Sequence, residues 1–330
     1  MSDWTQETVL GTARNFMEPR VLLTAAELDL FGLLAGNPLT AEEVAGRLSA
    51  DLRGTTVLLD AAAAMGLLSK ADGRYSAPAE IIALLTADGE RTVLPMVLHA
   101  AGLWRRWSRL TEVVLGPNAS GPVGPFASED AQTRAFIGAM HVVGAALAPA
   151  VVARIGVGRA RRLLDVGGAS GTYTIAFLRA SPDLRATLFD RPQVVGMAEE
   201  RLRAEGLLDR VTIVPGDFYS DPLPGGHDLV LLSAIVHQNS REQNVALFRS
   251  CLQATTPGGR IVVRDHVMSP DRTRPKSGAL FAVNMLVGTE GGGTYTFDEL
   301  RDDLEAAGYV RVRLMEPDER MNGLVEAFRP

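Results

Sequence analysis

The sequence predicts an α/β protein in which a parallel sheet follows a smaller, mostly helical domain. From residue 160 onward, short apolar runs typical of buried strands alternate with segments of helical periodicity. A glycine-rich turn follows the first of these strands, and the Ala- and Leu-rich N-terminal part ends in a hairpin signal. With 330 residues the chain is long enough for two domains with substantial cores.

Composition and charge exclude several classes of protein. The net charge of −6, from 33 basic and 39 acidic residues, predicts no general attraction to nucleic acid or to an anionic membrane. The N-terminus lacks the pattern of a signal peptide, and no apolar run approaches the roughly 20 residues that span a bilayer, so we expect a cytoplasmic protein with no membrane partner. The single cysteine, Cys251, excludes an intramolecular disulfide and is expected in the core. The five histidines are scattered, so no metal site is expected.

The N-terminal part predicts helices followed by a hairpin, the order of a winged helix-turn-helix. The helix before the presumed recognition helix carries Glu42 and Glu43, and the recognition helix itself has few cations, whereas a DNA reader carries a basic stripe. The composition therefore favours a structural or interface role over DNA binding, and the apolar helices predict a homodimer. The predicted elements are helices over 5–17 (stopped by Glu18-Pro19), 22–34, from Thr40 onward and 53–65, then a hairpin turn at Asp72-Gly73.

A helical connector is predicted between this part and the sheet. A helix over 94–115 places Trp104 and Trp107 on one face, a Gly/Pro-rich break follows over 115–126, and an apolar helix covers 136–155. We expect Trp107 in the core and Met140 in the wall of a pocket for a flat apolar substrate.

The glycine-rich turn follows a strand over 162–166 and contains Gly167, Gly168 and Gly171. It has no Gly-Lys-Ser/Thr and no Gly-x-Gly-x-x-Gly, so it matches neither a nucleoside triphosphate site nor a dinucleotide site. The carboxylate of Asp165 would repel a pyrophosphate but suits a cationic or hydroxyl-rich ligand. S-adenosylmethionine carries an ammonium and a sulfonium and no phosphate, so the spacing favours this cofactor.

Each later strand also ends in residues suited to that cofactor. Asp190 ends the second strand, about 20 residues beyond the glycines, where α/β folds place an acid against ribose hydroxyls. Gly216-Asp217-Phe218 ends the third strand with an acceptor and an aromatic face suited to adenine. The fourth strand, 228–232, leads through Ser233 to His237. The remaining predicted elements are a helix over 241–254, a fifth strand over 260–265, a helix over 297–307 capped by Thr296, and a closing strand pair over 310–315 and 324–328.

With these motifs the chain resembles the S-adenosylmethionine-dependent small-molecule O-methyltransferases of the caffeate and acetylserotonin type, including bacterial antibiotic-tailoring members. The resemblance covers nearly the whole chain. It implies a Rossmann-like class I methyltransferase domain over 156–330, an N-terminal winged-helix dimerisation domain over 1–90, and between them a connector over 91–155 that contributes to the substrate pocket. It also implies a small-molecule substrate, a homodimer, and S-adenosylhomocysteine as product.

The resemblance further implies a role for individual residues. His237 matches the catalytic base of the family, and Asp265 matches an acid that orients it. A phenol with a pKa of about 10 is a poor nucleophile at neutral pH, and a histidine can accept its proton as the methyl group transfers. The implied cofactor-binding residues are Asp165, Gly167, Gly168, Gly171, Asp190, Arg191, Gly216, Asp217, Phe218 and Ser233. The implied substrate-pocket residues are Trp104, Met140, Phe281, Asn284 and Met285.

Three departures from the family pattern leave alternatives open. Asn239 stands where the family has an adenine-covering aromatic residue, Thr294 stands where it has a second acid, and Asp265 is shorter than the usual Glu. Glu290 lies near Thr294 in the sequence and could substitute for that acid. The alternatives are C- or N-methylation, or a methyltransferase fold repurposed for hydroxylation, decarboxylation or a pericyclic reaction. Transfer of one methyl group per turnover distinguishes a methyltransferase from a repurposed fold.

Overall fold

The computed structural model describes residues 4–115, 133–134, 137–138, 140–141, 144–318 and 321–330. The chain divides into two compact units, one of Met1–Ser120 with Met268–Glu290 and the other of Gly121–Val267 with Gly291–Pro330. The predicted domain boundaries at residues 90 and 155 stay a prediction. Most of the predicted break over 115–126 and the predicted helix start at residue 136 lie outside the described residues.

The N-terminal part of the first unit is helical apart from one hairpin. Its elements are α1 (Gln6–Arg14), α2 (Met17–Glu27), α3 (Leu30–Leu33), α4 (Ala41–Leu48), α5 (Leu52–Ala64), β1 (Ser69–Ala71), β2 (Arg74–Ser76), α6 (Ala79–Leu85), α7 (Leu94–Trp107) and α8 (Leu110–Leu115).

Strands and helices alternate in the rest of the chain. The elements are α9 (Ala148–Ile155), β3 (Arg162–Val166), α10 (Thr172–Ala180), β4 (Arg185–Asp190), α11 (Pro192–Ala204), β5 (Val211–Pro215), β6 (His227–Ser233), α12 (Arg241–Ala254), β7 (Thr255–Asp265), β8 (Val267–Met268), α13 (Lys276–Gly288), β9 (Tyr295–Thr296), α14 (Phe297–Ala307), β10 (Val310–Glu316) and β11 (Gly323–Phe328). Single 3₁₀ turns cover Leu208–Arg210 and Val236–Gln238.

The predicted helix boundaries near Pro19 are wrong. The sequence places a helix end at Glu18-Pro19, but α2 begins at Met17 and continues through the proline. Pro19 occupies the third helical position, where the backbone has no intrahelical acceptor for an N–H, so the missing donor costs no hydrogen bond. The predicted helix over 22–34 is interrupted instead at Asp29, whose φ of 49° lies in the left-handed region.

The predicted hairpin and helix cap are confirmed. β1 and β2 pair antiparallel, and both turn residues, Asp72 and Gly73, have positive φ values of 49° and 73°, as a tight two-residue turn requires. Thr40 caps α4 by accepting the backbone N–H of Glu43 at 3.2 Å, while the Glu43 carboxylate accepts the N–H of Thr40 at 2.8 Å. Both features depend on residues close together in the chain, which is why local patterns predict them.

Helix α13 was not predicted, although it belongs to the first unit. It packs against α5, more than 200 residues earlier in the chain, and its Leu280 joins the buried core of α2 to α6. The sequence of α13 is apolar on most sides and carries no amphipathic stripe, so helical periodicity gives no signal there. Its position within the fold comes from tertiary packing.

The prediction of Trp107 in the core is wrong, because its side chain is 70% exposed. The single helix predicted over 94–115 is also interrupted, between α7 and α8. Spacing shows which side chains share a helix face, but not whether another element covers that face. The described residues of α7 and α8 expose a row of large apolar side chains, namely Met96, Leu98, Trp107, Leu110, Val113, Val114 and Leu115.

The second unit is built on a mostly parallel sheet. Among its described residues, seven strands form one sheet in the order β10-β11-β7-β6-β3-β4-β5. The five strands from β7 to β5 are parallel, and β11 and β10 close one side as the predicted strand pair, which the structure shows to be antiparallel. β3 therefore lies between β4, which follows it in the chain, and β6, to which the chain returns after β5.

Helices cover both faces of this sheet. On one face, α12 and α14 bury Phe248, Leu300 and Leu304 against the strands. On the other face, α9 and α10 bury Val151 and Phe177. Cys251 of α12 is fully buried, which confirms the core position predicted for it. No helix among the described residues is long and apolar enough to cross a membrane.

Candidate active site

The chain order of the sheet reverses at β3, and this places the candidate site. Strands on either side of β3 run parallel to it, so their carboxyl ends lie along one edge of the sheet. Crevices form at such an edge where the connections leave in opposite directions. The polar residues that follow β3, β4, β5, β6 and β7 meet along this edge, although 28 residues or more separate some of them in the chain.

Both the backbone conformation and the close packing of the turn after β3 favour glycine. Gly167 has a φ of +70° and donates its N–H to the carbonyl of Phe189 at 2.8 Å. A Cβ on Gly167 would lie 2.4 Å from Cδ1 of Ile235, and one on Gly168 would lie 2.8 Å from Cγ of Leu188. Gly171, at a φ of +77°, leads into α10. A Cβ at Gly167 or Gly168 would therefore force a neighbouring side chain to shift, and Gly167 and Gly171 have the positive φ that favours glycine.

Asp165 lies behind this turn and is 2% exposed. Its carboxylate accepts the hydroxyl of Thr174 in α10 at 2.6 Å. Burial raises the pKa of Asp165 to about 6, and the negative charge of Asp190 adds to the rise, while the bond from Thr174 opposes it. In the structure the partner of Asp165 is therefore Thr174. A contact between Asp165 and a cofactor stays a prediction.

Asp190, at the end of β4, ties the glycine turn to the next strand. One carboxylate oxygen accepts the N–H of Ala169 and the other accepts the N–H of Arg191, both at 2.7 Å. Burial raises the pKa of Asp190, and these two backbone bonds oppose the rise. A carboxylate can accept about four hydrogen bonds, so both oxygens keep capacity for ligand hydroxyls. Arg191 is itself exposed at the start of α11.

The turn after β5 adds an acceptor and two aromatic rings to the same edge. Gly216 is buried and donates its N–H to the carbonyl of Asp190 at 2.9 Å, and a Cβ there would lie 2.5 Å from Cζ of Phe189. Asp217 accepts the N–H of Tyr219 at 2.9 Å. The rings of Phe218 and Tyr219 lie 4.6 Å apart at 54°.

The 3₁₀ turn after β6 contains His237, and it places this residue next to Asp265, the last residue of β7. Nδ1 of His237 lies 2.9 and 3.0 Å from the two carboxylate oxygens of Asp265, and the backbone N–H of His237 reaches the same carboxylate at 3.3 Å. The His237 side chain is 12% exposed, and that of Asp265 is 1% exposed. The pairing that the family resemblance implies between these two residues is therefore present in the structure.

Asp265 is held in its charged form by its neighbours. Burial alone would raise its pKa, but the charge and hydrogen bonds of His237 and the proximity of His266 hold the pKa below its ordinary value. The N–H of His266 donates to Asp265 at 2.8 Å. The ring of His266 pairs with the buried carboxylate of Asp318 at 2.5 Å, a contact that sequence reasoning did not identify.

Two residues that depart from the family pattern are both buried at this site. Asn239 is 0% exposed and Thr294 is 3% exposed. The Asn239 side-chain nitrogen donates to Asn244 at 3.0 Å, and Nδ2 of Asn244 donates to the carbonyl of Val236 at 3.1 Å. These bonds connect the turn that carries His237 to α12. Glu290, by contrast, is exposed and belongs to the first unit.

Ser233, at the end of β6, has a partner within the second unit. Its hydroxyl accepts a bond from the Arg264 guanidinium at 3.3 Å, and that guanidinium also lies 5.1 Å from the ring centroid of Tyr173. Ser233 thus shares its partner, Arg264, with Tyr173 of α10. Its predicted contact with a cofactor stays a prediction.

The predicted substrate-pocket residues fall in both units. In the first unit, the half-buried Trp104 ring lies 6.2 Å from the Phe16 ring and 5.9 Å from the Arg20 guanidinium. The other pocket residues of that unit lie on α13, and they are the half-buried Phe281, the exposed Asn284 and the buried Met285. In the second unit, Met140 is 42% exposed. Their role as pocket residues stays a prediction.

The donors and acceptors at the edge fit S-adenosylmethionine better than a phosphate-bearing ligand. Residues 165–174 contain no cation, whereas a phosphate site would need one or a cluster of free N–H groups. The glycines bring backbone close to the edge, and Asp190 offers acceptors for ribose hydroxyls. Among the described residues, no group of three or more His, Cys, Asp or Glu side chains is placed to hold a metal ion.

Comparison with known proteins assigns the same two parts to one enzyme family. The sequence profile of the O-methyltransferase domain matches residues 123–310, and that of the O-methyltransferase dimerisation domain matches residues 10–80. The 3-hydroxy-5-methyl-1-naphthoate 3-O-methyltransferase of Streptomyces sahachiroi is 34% identical over 310 residues, which are 91% of this chain and 88% of that protein. The tetracenomycin polyketide synthesis 8-O-methyl transferase of Streptomyces glaucescens is 33% identical, over 92% and 91% of the two chains.

Solved structures show the same similarity along the whole chain. An O-methyltransferase family 2 protein from Planctomyces limnophilus, in complex with apigenin, has a TM-score of 0.80 at 26% identity and covers 98% of this chain and 95% of its own. Human N-acetylserotonin methyltransferase in complex with S-adenosylmethionine has a TM-score of 0.57 at 25% identity, with 100% and 99% covered. The fold and cofactor predicted from the sequence are therefore confirmed.

Replacement of Gly167 by Ala should destabilise the second unit more than the same change at Gly258. Both glycines have a positive φ, of 70° and 75°, but a Cβ at Gly258 meets nothing within 4 Å. The left-handed conformation costs each variant about 1–2 kcal/mol, and the overlap with Ile235 should cost Gly167→Ala a further 1–3 kcal/mol or so. Urea denaturation midpoints of the two variants measure the difference, and equal midpoints would show that Ile235 moves aside freely.

Asp165→Asn should stabilise the protein at neutral pH and not at acidic pH. The folded pKa of about 6 lies above the ordinary carboxyl pKa of 3.8, so the folded state binds the extra proton and stability falls as pH rises between those two values. The shift corresponds to about 2–3 kcal/mol, which the neutral amide removes while it still accepts the hydroxyl of Thr174. Thermal unfolding of both proteins between about pH 4 and 8 should show the gap growing with pH, whereas a constant gap would contradict this account.

Proposed function

This chain belongs to the S-adenosylmethionine-dependent O-methyltransferase family, and from that membership we propose that it methylates a phenolic hydroxyl of a small aromatic or polyketide-like metabolite, with His237 as general base. The observation that carries the proposal is the buried contact of His237 with Asp265 at the edge where the strand order reverses. Bound S-adenosylmethionine would supply an electrophilic methyl group on its sulfonium. The residues of the chain would hold the acceptor oxygen in line with that methyl and remove its proton.

The contact with Asp265 selects the form of His237 that a base needs. With the proton of Nδ1 directed at the carboxylate, the basic lone pair of the neutral imidazole lies on Nε2. Nε2 can then accept the phenolic proton as the oxygen attacks. A phenol has a pKa of about 10, so this transfer converts a weak nucleophile into a phenolate-like one at neutral pH.

Asp265 would stabilise the imidazolium that this transfer produces. It is ionised because its pKa lies below the ordinary range, and it is almost fully buried, so its charge acts on His237 with little screening by water. The second bond, from the His237 backbone to the same carboxylate, limits movement of the turn. A fixed ring favours catalysis because alignment of the oxygen, methyl carbon and sulfur supplies much of the rate.

The glycine turn and the ends of β4 and β5 would hold the cofactor. In this proposal Asp190 accepts the ribose hydroxyls, and Asp217 with Phe218 contacts the adenine. Asp165 and the N-terminus of α10 would face the amino-acid end. Support comes from the spare acceptor capacity of Asp190 and from the approach of backbone at Gly167, Gly168 and Gly171.

The acceptor class follows from the side chains proposed for the pocket. In the first unit, Trp104, Phe281 and Met285 would offer flat or flexible apolar surface, and Asn284 would offer a hydrogen-bonding group. Such a set suits a planar aromatic molecule that carries a few polar groups. The names of two relatives, which act in naphthoate and tetracenomycin chemistry, support a hydroxylated aromatic or polyketide acceptor.

His237→Ala should lower kcat for methyl transfer by about 100-fold or more, because it removes the proton acceptor. Asp265→Asn should also lower kcat, by about tenfold or more, since its amide can donate to Nδ1 and leave the ring proton on Nε2. Apigenin and 3-hydroxy-1-naphthoate serve as acceptors, and mass spectrometry counts the methyl groups gained. Binding of S-adenosylhomocysteine should change little in either variant.

His99→Ala is the matched control, because His99 is exposed on α7 and lies outside the proposed machinery, so its kcat should equal that of the wild type. Methylation that survives in His237→Ala within about tenfold would contradict the assigned base. A methyl group found on nitrogen or carbon would contradict O-methylation. Cofactor binding without transfer to either acceptor would contradict the proposed phenolic substrate.

We further propose that the chain forms a homodimer through its N-terminal unit. The match of residues 10–80 to the dimerisation domain supports this association. The apolar row on α7 and α8 provides surface that one chain leaves exposed, with Val113 at 69% and Val114 at 75%. Exposed apolar area of this extent commonly marks an interface between proteins.

The double variant Val113→Asp/Val114→Asp should be monomeric if α8 contributes to this interface, since two buried charges without partners oppose association. Light scattering should give the mass of two chains for the wild type and of one chain for the variant. Because both side chains are exposed within one chain, the thermal midpoint of the isolated fold should change little. A wild-type monomer would refute the dimer, and a dimeric variant would exclude α8 from it.

A further inference from the structure

Tyr219 combines an exposed ring with an anchored hydroxyl. The residue is 55% exposed, yet its hydroxyl donates to the side-chain oxygen of Asn239, which is fully buried. At the other end its backbone N–H is bound by Asp217 at 2.9 Å, and its ring lies against that of Phe218. An exposed tyrosine ordinarily samples several rotamers, but these contacts hold Tyr219 in one of them.

Asn239 is a firm anchor because its polar groups are all bonded. Its side-chain nitrogen donates to Asn244, its backbone N–H donates to Val236 at 3.3 Å, and its carbonyl accepts the hydroxyl of Tyr295. With the amide nitrogen used by Asn244, the amide oxygen is the atom that faces Tyr219. Burial and the Asp217 charge raise the pKa of Tyr219, so its hydroxyl keeps the proton that it donates.

The ring that these contacts fix lies within the proposed cofactor site. Phe218, beside it, comes within 3.8 Å of the position of a Cβ on Gly167. Three residues before Tyr219, the backbone N–H of Gly216 donates to the carbonyl of Asp190 at 2.9 Å, so the turn that carries the ring is held at the end of β4. A flat aromatic surface thus stands open to solvent beside the acceptor of Asp217, an arrangement that fits a purine ring.

We propose that Tyr219 is a binding residue for adenine: its ring, held by Phe218 and Asn239, stacks on the purine of the bound cofactor and takes the place of the aromatic side chain that position 239 lacks. This inference rests on the proposed cofactor site. Because the ring is ordered before the ligand arrives, binding need not immobilise it, and the stacking contributes to affinity with little loss of side-chain entropy.

Isothermal titration of the full chain with S-adenosylhomocysteine tests this role without reference to catalysis. Tyr219→Ala should raise Kd about tenfold, as expected when one aromatic partner of a stacked base is removed. Tyr219→Phe keeps the ring and loses only the anchor, so its Kd should rise less than that of Tyr219→Ala. Ser220→Ala, at the exposed neighbouring position, is the matched control and should bind as the wild type does.

A second ligand tests whether the rise in Kd comes from the lost contact with the purine. 5′-Methylthioadenosine keeps the adenosine and lacks the amino-acid end, so Tyr219→Ala should weaken its binding by the same factor. Thermal midpoints close to that of the wild type show that the variants are folded. If the Kd of Tyr219→Ala for S-adenosylhomocysteine stays within about twofold of the wild-type value, the inference is overturned. It is also overturned if the variant loses affinity for S-adenosylhomocysteine but not for 5′-methylthioadenosine. If the wild type binds neither ligand, the proposed cofactor site itself fails.

Discussion

The parallel pairing of β3 with β6 is the constraint on which the site depends. Leu164 lies between Thr187 of β4 and Val230 of β6, so the chain leaves β3 on one side and must return on the other. That return brings the carboxyl ends of five parallel strands to one edge. Gly167, Asp190 and Asp217 come from one half of the sheet, and His237 and Asp265 from the other. A change of register at β3 would separate the two groups.

Three carboxylates lie close to this edge, and each is stabilised by a different means. Asp165 is buried and accepts hydrogen bonds from Thr174, and its pKa is raised toward neutrality. Asp190 accepts two backbone N–H groups, one from each adjoining turn. Asp265 pairs with His237 and is held ionised. Of these three carboxylates, only Asp265 is paired with a group that can accept and release a proton during a reaction.

Asn239 and Thr294 show how a site can depart from its family pattern and stay ordered. At position 239 an amide replaces an aromatic ring, and all of its hydrogen-bonding groups are used within the second unit. Thr294 is buried and brings no charge, and in the proposed mechanism Asp265 balances the protonated His237. A buried polar residue is stable only when its bonds are complete, and such bonds also fix the neighbouring backbone. The turn of His237 is fixed in this way, through Asn244 and α12.

Local signals explain why much of the fold could be predicted. The strands, the glycine turn and the caps at Thr40 and Thr296 each depend on residues within a few positions of one another. The contact between His237 and Asp265 was expected from the resemblance to the O-methyltransferase family, and not from local spacing. Local signals failed where context decided the outcome. Pro19 could either end or begin a helix, and the periodicity around Trp107 did not show that its face is exposed.

The sequence by itself therefore determined the fold class, the cofactor and the strand ends from which the site is built, because short-range geometry and strand order carry that information. Tertiary structure alone decided other contacts between side chains. Tyr219 and Asn239 are 20 residues apart, and His266 and Asp318 are 52 apart, with no periodic pattern linking either pair. Single hydrogen bonds between distant side chains leave no trace in hydrophobic spacing, and only the folded chain brings the partners together.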